Sequence, residues 1–131
     1  MNIKWTEGDA LVLQAVRLAT KDNSGATISR LLRVGDFINR DIFDLKTLSA
    51  SLTKLCQTDL VYCDNEKFYL NEQYELIFES ECKAKQLFKN TDQLYNIMKT
   101  LDLEPNTVIN IDFLNKDYYD NAYKEYSDSF Q

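Results

Sequence analysis

Asp112, Asp117 and Asp120, close together near the end of the chain, come nearest to a metal-binding carboxylate set in this sequence. Their spacing matches no calcium loop, and carboxylates in a polar segment more often solvate or cap a helix. Histidine is absent, which removes the usual general base, the usual partner of a nucleophilic serine or cysteine, and the commonest metal ligand. The three cysteines, Cys56, Cys63 and Cys82, are an odd number with no CxxC pair. They read as buried or half-buried free thiols. Gly8, Gly25 and Gly35 are the only glycines, too few and too scattered for a phosphate loop. No catalytic residue, cofactor or metal is expected, and the chain reads as a non-enzyme.

The cations are the other candidates. All four arginines, Arg17, Arg30, Arg33 and Arg40, fall in the first third of the chain. Arg30 and Arg33 are three residues apart and share a face if their segment is helical. Residues 1–57 carry eight Lys/Arg against six Asp/Glu, whereas residues 58–131 carry seven against fifteen, within a net charge of −6. This asymmetry fits either a weakly basic working face with an acidic remainder or two ordinary solvated surfaces.

The elements that would position these residues follow from the apolar spacing. At 131 residues and 44% hydrophobic content, one domain, or one domain with an extension, can bury a core. Thr6 can cap a largely buried first helix, with Asp9 reaching back to its amide. A second helix starts near Thr27, and Gly35-Asp36 is expected to break or bend it. Phe37, Ile38, Ile42 and Phe43 then read as a short helix or ordered turn plugged into the core. Asp44 is a suitable N-cap for a helix carrying Leu45, Leu48, Leu52 and Leu55 at helical spacing. Residues 60–63 and 68–70 form two β-prone runs around the polar turn Asp64-Asn65-Glu66-Lys67.

A longer fourth helix is expected from Glu72 to about Lys89. Another follows from Thr91, stopped by Pro105, and residues 108–114 read as a short strand or an apolar strap. From about Asp117, Tyr119, Ala122, Tyr123, Tyr126 and Phe130 share one helical face. That aromatic face suits either a dimer contact or packing on its own domain.

The stretch LSASLTKLCQTDLVYCDNEKFYLNEQYELI, a helix running through a turn into a hairpin, resembles winged helix-turn-helix regulators, loosely of the MarR and PadR kind, over about residues 6–77. The string GDFINRDIF is similar to a stretch of a group of small bacterial winged-helix proteins, and that similarity implies no activity. The resemblance implies an α+β, mostly α fold: a three-helix core with a two-stranded wing and a C-terminal helical extension. It divides the chain into residues 1–78 and 79–131, the second part a candidate dimerisation element. On it, Lys46, Thr47, Ser49, Ala50 and Thr53 would face a DNA groove, Lys54 would lie near phosphate, and Arg30, Arg33 and Arg40 would contact the backbone, with Lys67 at the wing.

The expected function is that of a dimeric, cytoplasmic transcriptional regulator binding double-stranded DNA. The opening MNIKWTEGD has no apolar h-region, and no stretch approaches the roughly 20 apolar residues of a membrane span. The alternative is a winged-helix protein-interaction module that does not bind DNA. In its favour, the candidate reading helix has no arginine, the wing tip is net negative, and Asp59 stands where glycine usually follows this helix. The two part on geometry. Convergence of the cations on a face free of carboxylates favours DNA, and interleaving with Asp36, Asp41, Asp44 and Glu66 favours protein.

Overall fold

The computed structural model describes residues 4–20, 24–39, 42–81, 87–101, 103–105 and 111–129. Among these the chain is mostly helical with one small antiparallel sheet, an α+β arrangement dominated by α.

Helix α1 (Glu7–Ala19) begins at the Thr6 cap, whose Oγ1 accepts the Asp9 amide while the Asp9 carboxylate accepts the Thr6 amide, at 3.1 and 2.9 Å. Both bonds satisfy amides that the first turn leaves without helical partners. Ala10, Val12, Leu13, Ala15, Val16 and Ala19 are all fully buried, so α1 is apolar nearly all round. A helix of that kind must be surrounded. Accordingly α2 (Ile28–Asn39), α3 (Leu45–Gln57), α5 (Leu87–Thr100) and the second strand of the hairpin all pack against it.

Helix α2 runs without a break through Gly35, contrary to the expected break or bend there. A Cβ on Gly35 would lie 2.4 Å from the Phe43 ring, so the glycine is a seat for that ring rather than a helix stop. Continuing the helix also sends Phe37 and Ile38 to different sides. Ile38 and Phe43 are buried and Ile42 packs against the core, but Phe37 is 73% exposed and does not plug it.

Strands β1 (Val61–Asp64) and β2 (Lys67–Leu70) pair antiparallel, with Val61 opposite Leu70 and Asp64 opposite Lys67. Asn65 and Glu66 between them both have positive φ, 52° and 63°, the conformation of a two-residue type I′ hairpin. Ala26, between α1 and α2, adds a bridge to Phe68 through two hydrogen bonds of 2.8 and 2.9 Å.

Helix α4 (Glu72–Glu81) follows the hairpin and packs on α5. Residues 82–86 lie outside the described residues, as do 108–110 of the expected strap at 108–114; α5 begins at Leu87, earlier than the expected Thr91, so residues 87–89, expected to end the fourth helix, belong to α5 instead. Ile111 and Leu114 of that strap are buried. Helix α6 (Lys116–Asp128), capped by Asn115, packs along α2. Ala122 and Tyr126 are buried there. No helix among the described residues is long and apolar enough to cross a membrane.

Candidate interaction surface on α3 and the hairpin

Asp44 caps α3, its Oδ1 accepting the Thr47 amide at 2.7 Å. That bond, with nearby Lys46, holds the Asp44 carboxyl below its ordinary value. Leu48, Ser51, Leu52, Leu55 and Cys56 form the inward face. Lys46, Thr47 and Ala50 are exposed, and Ser49 and Thr53 are half-buried at the edges. The Thr53 hydroxyl is spent on its own helix, donating to the Ser49 carbonyl at 2.8 Å. The outward face is therefore small and nearly uncharged, with Lys46 near the carboxylate that caps the helix.

Lys54 turns toward the core. Its ammonium donates to the Asp9 carboxylate and to the Lys4 carbonyl, and lies 5.7 Å from the centre of the Trp5 ring. Asp9 is buried, and a buried carboxylate needs its oxygens satisfied. It accepts from the Thr6 amide, the Lys54 ammonium and the Ser51 hydroxyl, the last at 2.7 Å. Ser51 has the polarity of a groove residue and the position of a core one; nothing in its local spacing announced the bond to a partner 42 residues away.

Arg30 and Arg33 do share a face of α2, and it is the face that meets α6. With Ser29, Val34, Glu125 and Tyr126 they line a groove of about 440 Å³. Arg30 also donates to Ser24 Oγ at 3.1 Å. The Tyr126 hydroxyl donates to the Asp36 carboxylate, which with burial pushes Tyr126 up to about 12. The Tyr119 hydroxyl donates to the Phe43 carbonyl at 2.6 Å. Two of the aromatics read as suiting either a dimer contact or packing on their own domain thus tie α6 to its own chain. Phe130 and Arg40 lie outside the described residues.

At the hairpin turn, Lys67 is exposed, with Asp64 opposite it and Glu66 beside it. Tyr62 and Tyr69 stack on the outer face of the hairpin, ring centroids 5.0 Å apart and planes 11° apart. Gly25 accommodates the pair: a Cβ there would meet the Tyr69 ring and hydroxyl at 2.6 and 2.7 Å. Asp59, after α3, takes a left-handed φ of 63°, and its carbonyl accepts from Asn71 Nδ2 at 2.9 Å.

Cys82 lies outside the described residues, and the two described thiols are held neutral by their surroundings. Burial pushes Cys56 up to about 12 and raises Cys63, so neither supplies thiolate at neutral pH. Asp112, Asp117 and Asp120 are exposed, and among the described residues no three carboxylate or thiol side chains are grouped to hold a metal ion.

Comparison with protein-family models gives no match, and comparisons with curated proteins and with solved structures give none either.

Proposed function

We propose that the chain is a non-catalytic module of winged-helix type that binds protein rather than DNA. The order helix, bridging residue, helix, helix, hairpin supports the winged-helix reading, with Ala26 joining the sheet between the first two helices.

The dispersal of the cations carries the choice of partner. Affinity for duplex DNA comes chiefly from lysines and arginines reaching phosphates together. Lys54 is committed to Asp9, and Arg30 and Arg33 face α6. Lys46 sits near Asp44, and Lys67 sits among Asp64 and Glu66. Carboxylates interleave with the cations that a DNA reader would gather on one face. The α3 face itself offers Thr47 and Ala50, fit for close packing against a partner but poor in charge.

Anisotropy of a labelled random-sequence duplex, titrated with protein across a salt series, tests this. No binding up to about 10⁻⁴ M at low salt is the expected result. Binding in the roughly 10⁻⁶ to 10⁻⁴ M range that weakens steeply with salt would overturn it in favour of a DNA-binding regulator.

A further inference from the structure

A second concavity, of about 260 Å³, lies between the hairpin and the first turn of α4. Thr20, Ser24, Tyr62, Tyr69, Glu72 and Glu75 line it. Glu72 and Glu75 are three apart at the start of α4, so their carboxylates leave the helix on one side. Both are exposed, and among the described residues neither has an ionic partner. Four hydroxyls complete the polar lining, one of them, that of Ser24, already accepting from Arg30 at 3.1 Å, and no lysine or arginine is itself part of the lining.

The aromatic part is fixed in place. Tyr69 lies against the Gly25 backbone, and Tyr62 stacks on Tyr69 while remaining 48% exposed. Because the two rings are nearly parallel, they do not enclose a ligand between them. They present one flat, electron-rich face beside two carboxylates.

We infer that this concavity docks an arginine side chain of a partner protein. A guanidinium is planar and weakly hydrated, stacks on an aromatic face, and donates in a fork that matches carboxylate oxygens. Tyr62 supplies the face, and Glu72 and Glu75 supply the acceptors and the countercharge. Charge complementarity selects a basic segment, and the open rim beside Tyr62 admits a side chain borne on a polypeptide. The assignment rests on reading the chain as a protein-binding module and names the chemistry of its partner.

The test uses the full chain and a labelled, capped peptide of two arginines spaced by glycines. Binding is expected to weaken roughly fivefold in the E72Q/E75Q variant and roughly threefold in Tyr62→Leu, which keeps bulk without the aromatic face. The D117N/D120N variant removes the same charge from exposed positions on α6 and is expected to change affinity by less than about twofold. Circular dichroism melts confirm that each variant is folded, and amide shift mapping of the unaltered chain reads the same contact without substitution. Equal losses in the two double variants would reduce the effect to bulk charge and overturn the site. Capped free arginine binding as tightly as the peptide would overturn the protein partner. No peptide binding, or amide shifts away from residues 62, 69, 72 and 75, would overturn the docking site altogether. Salt-steep duplex binding by the unaltered chain would instead remove the module reading, whatever the peptide does.

Discussion

The ammonium of Lys54 on α3 lies 2.5 Å from the buried carboxylate of Asp9 on α1, 45 residues earlier. The pair fixes how α3 sits on α1, because Asp9 also takes the Ser51 hydroxyl and the Thr6 amide. Removing Lys54 leaves a buried carboxylate with two donors and no countercharge. Lys54→Ala is therefore expected to destabilise the fold by about 1–3 kcal/mol, below the full cost of breaking a buried pair because Lys54 itself is partly exposed. Lys46→Ala, on the exposed face, is expected to stay within about 0.5 kcal/mol. Urea unfolding of the two variants makes the comparison, and equal effects would contradict the structural role of Lys54.

Gly35 gives the opposite of what helix propensity alone implies. Alanine is favoured over glycine by about 1 kcal/mol inside a helix, yet a Cβ here would sit 2.4 Å from the Phe43 ring. Gly35→Ala is expected to lower stability by about 1–3 kcal/mol through overpacking. Adding Phe43→Leu should recover part of the loss. The check is a double-mutant cycle in urea, where simple additivity would rule out the contact.

Asp59 holds a left-handed conformation, and among the described residues its backbone, not its side chain, is used in hydrogen bonds. Asp59→Gly is expected to raise stability by about 0.5–1 kcal/mol, by relieving the backbone cost. Asp59→Ala removes the charge and keeps the strain, so it should not gain. Thermal melts of both variants separate charge from conformation.

Tyr126 links α6 to α2 through Asp36, and its neutral form is favoured in the fold. The folded value, about 12, lies above the ordinary 10. Its contribution to stability is fully present below pH 10 and is lost as pH rises through about 12. Burial also raises Tyr118 and Tyr119, so ultraviolet titration of phenolate should show a late-ionising group of tyrosines that loses one member in Tyr126→Phe. Full ionisation of every tyrosine near pH 10 in the folded protein would contradict the bond.

The parts of the fold legible in the sequence were those written over three or four residues. The Thr6–Asp9 box, the Asp44 cap, the turn at Asn65-Glu66 and the leucines of α3 all depend on neighbours one turn away. What escaped depended on distant partners. Gly35 reads as a helix breaker unless Phe43 is known to lie on it, and Phe37 reads as core until the helix continues and rotates it outward. The expected site residues suffered the same way. Lys54 and Ser51 look alike as polar residues of a helix, and only Asp9 tells that both point inward. Arg30 and Arg33 share a face as their spacing required, but spacing does not say that α6 meets that face. The Tyr62–Tyr69 stack was missed, although the two residues become register partners on one face once the Asn65-Glu66 turn sets the pairing.

Helix α1 precedes α2, α3 and the hairpin, yet its cover is completed by α5, which follows all of them. Its surroundings are α2, α3 and β2 on one hand and α5, residues 87–100, on the other. A nascent chain that has only delivered the hairpin still displays part of an almost wholly apolar helix, and such exposure invites aggregation during synthesis. The core closes only after α5 and the buried residues that follow it, Ile111, Leu114, Ala122 and Tyr126, are in place, so a chain truncated after residue 78 should be a sticky, protease-sensitive intermediate rather than a finished domain.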